Sequence, residues 1–403
     1  MAVEHDAERT AFDGIICIGG EDWWYHNRGH FDFQIMRRLA RSVPVLFVNS
    51  LAVRMPSLSE SGQFAARIGR KLKSLSRGLV RVENNFWVMS PWAVPGPTGQ
   101  RLSGWALAPQ IKRAAAVAGI HRPLLWVHCP AGAPLIDQMS HTALVLQRTD
   151  RFEAFPEADP HVVGRHIARL KSAADLVVYC NPSLMDEERR EVRRQVLITH
   201  GADLDMFTRA GDAAVSEPDD VSTLKHPRVG FIGGIDAHTF APELFLETAR
   251  RLPDAEFVLV GGCSLPDGWC RLPNVTMVGR KPYDDVARYM AAMDVLIMPW
   301  NDSSWIQACN PIKLKEYLAV GRPVVTTDFP ALAPYRDLVR IAATPEKFAA
   351  AITAALAQPF DAAMALNRIA HESWDAKATQ LHDVLRGIRG GENSDQCRAT
   401  SAA

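Results

Sequence analysis

The stretch NPIKLKEYLAVGRPVV at residues 310–325 carries the strongest structural signal in the chain. Pro311 opens a helical pattern, which stops at a glycine before a second proline and a β-branched run, so the stretch predicts a helix followed by a strand. Lys313 falls in the first helical turn, where its cation and the positive helix end would both face an anion such as a diphosphate. Glu316 lies one turn further along, placed to hydrogen-bond hydroxyl groups of the molecule that carries the diphosphate. A solvated helix with ordinary surface charges is the alternative.

Short β-rich runs alternate with longer helical patterns on both sides of this stretch, which indicates parallel sheets covered by helices and hence the α/β class. Strands are predicted at residues 14–18, 44–49, 86–90, 124–128, 143–147, 176–179 and 196–199, and then at 229–232, 256–260, 275–278, 295–298 and 324–326. Helices are predicted at residues 31–41, 104–118, 162–173, 241–251, 283–293, 312–320 and 345–357.

The length of 403 residues predicts two domains, because a single core stops growing at about half that size. The boundaries predicted from the pattern are a first domain at 1–207, a polar linker at 208–227, a second domain at 228–358, a closing helix at 359–389 and a disordered tail at 390–403. Ligands of such domains bind beyond the carboxyl ends of the strands, so a cleft between two facing sheets is the expected site.

Composition excludes several classes of protein. Forty-five basic and forty-five acidic side chains give a formal net charge of zero, which argues against a general nucleic-acid binder. Seven dispersed cysteines without zinc-site spacing indicate a reduced, cytoplasmic protein. The acidic N-terminus is unlike a signal peptide, and no apolar run is long enough to span a bilayer, so any membrane contact is expected to be peripheral.

A glycine pair, Gly233 and Gly234, follows a predicted strand and leads toward a helix. Glycines at such a turn let backbone N–H groups approach an anion closely. The signal is weak by itself, and a tight strand-exit turn explains it equally well. The spacing of a dinucleotide-binding fold is missing, which argues against an oxidoreductase.

Residues 64–81 carry six basic side chains and no acidic one. Apolar residues recur there at three- to four-residue intervals, so the stretch predicts a basic amphipathic helix. Such a helix suits an anionic membrane surface or the pyrophosphate of a lipid-linked acceptor. A solvated helix lying over the first domain is the alternative.

Several segments together resemble the GT-B glycosyltransferases that use nucleotide sugars. They are residues 310–325, the run HGADLDMF at 200–207 and the run HESWD at 371–375, and the resemblance covers roughly residues 14 to 385. It implies two facing Rossmann-like domains with a cleft between them, the first binding the acceptor and the second the donor. It also implies a C-terminal helix that crosses back to the first domain.

The closer likeness is to bacterial polysaccharide glycosyltransferases typified by the xanthan glucuronosyltransferase. There a strand ends in a run similar to LQRTD at residues 146–150, whose aspartate is the proposed base, so the resemblance implies Asp150 as general base of an inverting transfer. Retaining relatives carry a glutamate at the place of Ala308 and basic residues after the glycine pair, and this sequence has neither. Lys313 matches the family lysine that contacts the donor phosphates. The other candidate donor contacts are Gly233, Gly234, Asn310 and Glu316, with Arg280 and Lys281 as secondary candidates for which surface charge is an equal alternative.

The loop after the first strand faces the acceptor in this fold, which makes Asp22, Arg28 and His30 candidate acceptor contacts. Trp23, Trp24 and Tyr25 offer rings for stacking on sugars, and a packed loop anchor is as good an explanation. His26 and His30 are spaced as metal ligands on a helix would be, but the residues between them break a helix and no third ligand is near.

The expected activity is therefore transfer of a sugar, hexosyl or glycuronosyl, from a UDP-sugar to a glycan or lipid-linked oligosaccharide in cell-surface polysaccharide synthesis. No metal or other cofactor is expected, because Lys313 and the Gly233–Gly234 amides would meet the charge of the leaving diphosphate. A retaining transferase, a nucleotide-sugar 2-epimerase and a non-catalytic nucleotide-sugar-binding protein remain the alternatives.

Overall fold

The computed structural model describes residues 11–25, 29–51, 69, 72–92, 97–154, 159–211 and 216–388. The chain forms two compact units, residues 1–199 with 377–403 and residues 200–376. Each unit is built on its own mainly parallel sheet, so the predicted α/β class is confirmed.

The first unit has an eight-stranded sheet in the order β3-β4-β2-β1-β5-β6-β7-β8. The strands are β1 (Gly14–Ile18), β2 (Val45–Val48), β3 (Leu79–Glu83), β4 (Phe86–Met89), β5 (Pro123–Val127), β6 (Ala143–Arg148), β7 (Leu176–Tyr179) and β8 (Gln195–Leu197). All neighbours are parallel except β3 and β4. Every residue of β1 and β5 is buried, as expected where helices cover both faces of a parallel sheet.

Besides a short helical segment at residues 72–75, the described residues before the last strand of this unit form α1 (Phe31–Leu39), α2 (Pro97–Val117), α3 (Pro160–Ala173) and α4 (Pro182–Glu187). Their start points follow from local chemistry. The Asp159 carboxylate accepts hydrogen bonds from the first free backbone amides of α3, and Asn181 does the same for α4. A proline follows each of these two caps, at a position where its missing N–H costs nothing.

The second unit has a six-stranded, fully parallel sheet in the order β11-β10-β9-β12-β13-β14. The strands are β9 (Arg228–Ile232), β10 (Glu256–Val260), β11 (Val275–Gly279), β12 (Val295–Met298), β13 (Val324–Thr326) and β14 (Arg340–Ile341). The helices are α5 (Leu204–Ala210), α6 (Asp219–Ser222), α7 (Pro242–Arg251), α8 (Tyr283–Ala291), α9 (Ser304–Ala308), α10 (Ile312–Val320), α11 (Pro345–Ala357), α12 (Ala362–Ile369) and α13 (Trp374–Arg386). The last helix begins in this unit and continues into the first.

The stretch at residues 310–325 folds as its pattern predicts, into α10 followed by β13. Gly321 ends the helix with a φ of 77°, a left-handed conformation that glycine adopts without steric cost. The other predicted strands form close to their predicted bounds, and β3 and β14 are the described strands that the pattern missed. The helix predicted at 104–118 begins earlier, at Pro97, and the closing helix predicted at 359–389 is instead two helices, α12 and α13.

The basic helix predicted over residues 64–81 is wrong at its C-terminal end. Helix is present at residues 72–75, but residues 79–83 form strand β3. Gly78, with a φ of 59°, turns the chain between them, and its carbonyl accepts a hydrogen bond from the Ser90 amide next to β4. Residues 64–68, 70 and 71 lie outside the described part of the chain.

The two units divide at residue 199, earlier than the predicted boundary at 207, and residues 216–227 of the predicted linker pack into the second unit. The cause is Arg228, whose buried guanidinium binds the Glu217 carboxylate at 2.8 Å and the carbonyls of Ser222 and Leu224 at 3.2 and 2.9 Å. Residues 212–215 and the tail predicted as disordered at 390–403 lie outside the described ranges.

Candidate active site

Polar residues of the first unit gather where two neighbouring strands end. His128 directly follows β5, and Thr149 and Asp150 directly follow β6. The two strands are parallel and adjacent, with Val127 opposite Leu146, so their carboxyl ends lie at the same edge of the sheet.

A line of hydrogen bonds joins these residues to α1. The Asp32 carboxylate, in the first turn of α1, lies 3.1 Å from His128 Nδ1, and His128 Nε2 lies 3.1 Å from Thr149 Oγ1. The Thr149 side chain also lowers the pKa of the neighbouring Asp150 carboxylate. Gly20 leaves room for the imidazole, because a Cβ there would lie 2.7 Å from the ring.

The two carboxylates of this line have pKa values shifted in opposite directions. Burial by itself would raise the pKa of Asp32, but His128, His30 and the Gly20 amide hold it below its ordinary value. For Asp150 the effect of burial prevails and raises its pKa, against the lowering by Thr149, His128, Arg148 and His30. Asp32 is thus an ionised partner for an imidazole, whereas Asp150 has the greater proton affinity, as a general base requires.

The backbone of this loop is held by a fully buried guanidinium. Arg148 donates hydrogen bonds to the Asp150 carbonyl at 2.7 Å, to Glu153 at 2.7 Å and to Glu188 at 2.8 Å. Glu188 also accepts a hydrogen bond from Tyr179 at 2.8 Å, so the charges are paired on several sides. A rigid support of this kind fixes the direction in which the Asp150 side chain leaves the sheet.

Of the predicted acceptor contacts, Asp22 is bound into the framework of the loop. Its carboxylate accepts hydrogen bonds from Ser74 Oγ at 2.7 Å and from the Trp24 amide at 2.9 Å. Trp23, considered above for sugar stacking, is 2% exposed and packs against Phe33 and other rings. The packed-anchor interpretation therefore holds for Trp23, because a ring so deeply buried cannot meet a sugar.

His30 is exposed at the start of α1, and its charge lowers the pKa of both Asp32 and Asp150. The structure thus brings His30 into the electrostatic neighbourhood of the predicted base. Arg28 lies outside the described residues, as does His26.

In the second unit, glycines bring the end of β9 close to α10. Lys313 donates a hydrogen bond from Nζ to the Ile232 carbonyl, and Nζ lies 4.8 Å from the centre of the Phe231 ring. A Cβ on Gly233 would lie 1.7 Å from Lys313 Nζ, and a Cβ on Gly261 would lie 1.8 Å from the Gly233 carbonyl oxygen. The close approach of the lysine to the loop therefore depends on both glycines.

Lys313 is half-buried and Glu316 is buried, and their opposite charges interact within the first turns of α10. Burial lowers the pKa of Lys313, although Glu316 and Asp236 oppose that effect. Burial likewise raises the pKa of Glu316, opposed by the charge of Lys313 and by the neighbouring Tyr283 side chain. A further anion beside Lys313 would add a favourable charge interaction, in line with the diphosphate contact predicted from the sequence.

The remaining predicted donor contacts differ in their surroundings. Arg280 is exposed after β11, and its guanidinium lies beside the glycine loop after β10, since a Cβ on Gly262 would lie 2.6 Å from Arg280 Nε. Lys281 is paired with Asp220 instead, and its ammonium lies 5.1 Å from the centre of the Tyr289 ring. The ammonium of Lys281 is thus already engaged on α6 and α8.

Two further predicted donor residues lie beside this cluster. Asn310 is half-buried, two residues before α10. Gly234 follows Gly233 in the loop, and a Cβ on it would lie 2.9 Å from an Asp236 carboxylate oxygen. Within the described ranges, no three His, Cys, Asp or Glu side chains are grouped as a metal site would require.

Sequence reasoning missed His128 and Asp32. A signal was present, because His128 follows one strand as Thr149 and Asp150 follow the next, and residues at the exits of adjacent parallel strands meet. Strand β5 lies between β1 and β6 in the sheet. Local sequence patterns do not predict this strand order, so they could not show that these residues meet.

Comparison with solved structures defines the class of the architecture. Sucrose-phosphate synthase from Thermosynechococcus elongatus superposes with a TM-score of 0.64 at 17% identity, covering 93% of this chain and 98% of that chain. HepE of Anabaena, in complex with UDP-glucose, gives a TM-score of 0.61 at 13% identity and covers 94% and 100%. This chain has the GT-B fold, and the resemblance inferred from its sequence is confirmed.

Sequence comparison gives a more particular likeness. Residues 226–358 match the family model described as Glycosyl transferases group 1. TuaH of Bacillus subtilis (strain 168), named as a glycosyltransferase of teichuronic acid biosynthesis, is 38% identical over 112 residues. That match covers 26% of this chain and 27% of TuaH, so this chain spans about a quarter of the length of that curated relative.

Proposed function

We propose that this protein is a glycosyltransferase that moves a sugar from a UDP-sugar to a hydroxyl group of a glycan or lipid-linked acceptor in polysaccharide biosynthesis, at the cytoplasmic face of the membrane. The observation that carries the proposal is the half-buried Lys313 at the start of α10, held against the Gly233 loop in a segment that matches the group 1 family. The name of TuaH and the UDP-glucose in the HepE complex support the pathway and the donor.

The second unit supplies the donor end of the mechanism. Lys313 and the Gly234 amide meet the negative charge that grows on the diphosphate as its bond to the sugar breaks. The Gly233 amide, also expected there from the sequence, donates instead to the Val260 carbonyl at 2.8 Å. Arg280, beside Gly262, adds a second cation for the nucleotide phosphates. Fixed donors of this kind stabilise a leaving anion without reorganisation, so the proposed mechanism needs no divalent cation.

The first unit supplies the base. Asp150 takes the proton of the acceptor hydroxyl while that oxygen bonds to the anomeric carbon and the diphosphate leaves from the opposite face, which inverts the anomeric centre. The proton has a proposed path onward, because Thr149 Oγ1 lies 3.1 Å from His128 Nε2. In this path the Thr149 hydroxyl accepts the proton from the Asp150 carboxyl and gives its own proton to His128 Nε2, which regenerates the Asp150 carboxylate. The imidazolium that results lies against the ionised Asp32, at 3.1 Å.

A panel of UDP-sugars tests the proposal directly. The true donor should raise the melting temperature in proportion to its occupancy, and transfer to an acceptor should give a product of inverted configuration by NMR. A product of retained configuration would still show that the protein is a transferase, but it would contradict the role of Asp150 as the base of an inverting transfer. Conversion of the donor sugar without any acceptor would identify an epimerase, and stabilisation without any turnover a binding protein.

The proton path gives a prediction at Thr149. Thr149→Val keeps the shape of the side chain but removes the hydroxyl, so we expect kcat to fall about tenfold or more while the KM for the donor is unchanged. Thr149→Ser restores a hydroxyl and should recover most of the rate. Equal losses in both variants would show that Thr149 serves only in packing, and the path through His128 would be wrong.

A further inference from the structure

Basic residues are concentrated in one part of a chain that is neutral as a whole. Between residues 61 and 136 the sequence has a single acidic residue, Glu83, and none at all from 84 to 136. The same span contains Arg67, Arg70, Lys71, Lys73, Arg77, Arg81, Arg101, Lys112, Arg113 and Arg122. This part of the first unit therefore carries a strong positive charge, balanced elsewhere in the chain.

The exposed apolar side chains are concentrated in the same part. Among the described residues, the four most exposed large hydrophobic side chains are Trp105, Trp92, Val117 and Leu72, at 73%, 65%, 59% and 56%. An indole ring exposed to this degree gains no stabilisation from burial, so it is unusual on a surface that contacts only water.

Helix α2 places these features on one face. Its exposed residues Trp105, Pro109, Lys112, Arg113 and Val117 recur at helical spacing. The opposite face carries buried residues that include Leu107, Ala108, Ile111, Ala114 and Ala115. The exposed face is therefore both apolar and cationic.

Trp92 is fixed beside α2 by a pair of hydrogen bonds. Its amide donates to Gln110 Oε1 at 3.0 Å, and Gln110 Nε2 donates to the Trp92 carbonyl at 3.1 Å. Because Gln110 is in α2, the segment that carries the second indole lies along the same helix. We call Trp92 together with Trp105, Pro109, Lys112, Arg113 and Val117 the α2 face.

We propose that the α2 face docks on the surface of an anionic lipid bilayer. Indole rings favour the boundary between headgroups and acyl chains, and Lys and Arg bind anionic headgroups, so a face with both and no carboxylate fits this partner. This inference rests on the proposed function in one respect: a lipid-linked acceptor would be located at such a membrane surface.

This face differs from the basic stretch at residues 64–81, where two of the described cations, Arg77 and Arg81, lie over aromatic rings of the same unit. The Arg77 guanidinium lies 4.3 Å from the centre of the Trp24 ring, and that of Arg81 lies 5.8 Å from the Trp87 ring.

Among the described helices no single one is long and apolar enough to cross a bilayer. Helix α11 taken with residues 362–372 passes that test of length and composition as a pair bent by 111°.

The experiment is sedimentation of the full chain with vesicles of phosphatidylcholine, alone or with phosphatidylglycerol. We expect binding to the mixed vesicles and little to the neutral ones. Lys112→Glu with Arg113→Glu should weaken binding at least 30-fold, because each cation lost contributes about fivefold. Trp92→Ala with Trp105→Ala should also release the protein, by removing the indoles from the interface.

Matched controls come from the second unit. Trp305→Ala removes another exposed indole, and Lys225→Glu with Lys347→Glu reverses two exposed charges, so neither variant should change binding. No binding to mixed vesicles, equal losses in the controls, or a dimer by light scattering that the α2-face variants dissociate would each overturn the proposal. Turnover with a soluble acceptor tests the proposed function separately, and the α2-face variants should leave it unchanged.

Discussion

Replacing Asp150 by asparagine is expected to lower kcat about 10²- to 10⁴-fold while the affinity for the UDP-sugar stays the same. Asparagine keeps the size of the side chain, but it cannot take a proton from the acceptor. Burial raises the pKa of Asp150, which strengthens it as a base, and that advantage is lost with the carboxylate. Turnover and donor titration by calorimetry give the two quantities.

Asp137→Asn is the matched control, because Asp137 is an exposed carboxylate of the same unit whose partner is Arg169. It should leave both kcat and donor affinity unchanged. If Asp150→Asn turned over at the normal rate, Asp150 would not be the base. If Asp150→Asn lost donor affinity as well, the residue would act in binding rather than in proton transfer.

The dependence of rate on pH adds a second test of the same residue. A base must be ionised to work, so the rate of the unmodified protein should fall as the pH drops through the pKa of Asp150. Because that pKa is raised, the fall should begin at a higher pH than for an ordinary aspartate. If Asp150→Asn retains some activity, that activity should not show this fall in rate at low pH.

The sequence predicted those parts of the molecule that local patterns determine. Continuous apolar runs such as GIICI and PLLWV predict buried parallel strands, and a helix that ends at Gly321 is evident from its punctuation. Strand β3 escaped prediction because it is an edge strand whose residues are half-exposed, with charged side chains among them. Its alternating pattern was hidden inside a basic stretch that also suits a helix.

The parts that could not be predicted depend on contacts between distant segments. Asp32 and His128 are 96 positions apart, and only the order of the strands places them together. The predicted linker packs into the second unit because one arginine at 228 binds carbonyls and a carboxylate upstream of it. Lys281 is a lysine, as a phosphate contact often is, but its ammonium is bound to the Asp220 carboxylate. The sequence alone does not predict that pairing.

Replacing Lys313 by methionine is expected to weaken UDP-sugar binding about 10- to 100-fold, the range for loss of a charged hydrogen bond to a phosphate. Methionine keeps the length of the side chain. It leaves Glu316 buried without its cation, and since burial already raises the pKa of Glu316, that carboxyl will take up a proton. The double variant with Glu316→Gln separates loss of binding from loss of stability, because it should fold as well as the parent and still bind donor weakly.

The same lysine gives donor binding a dependence on pH that identifies it. Burial lowers the pKa of Lys313 to about 8, so the ammonium is present at pH 7 and largely lost at pH 9. Since the bound diphosphate requires the cation, affinity should fall above pH 8 by up to tenfold per pH unit, and calorimetry of the UDP-sugar at pH 7 and pH 9 measures the fall. The Lys313→Met variant should show no such fall, whereas Lys281→Met, which removes a paired surface cation, should keep it. If the affinity of Lys313→Met still fell between pH 7 and pH 9, another group would be titrating, and Lys313 would not be the residue that binds the phosphates.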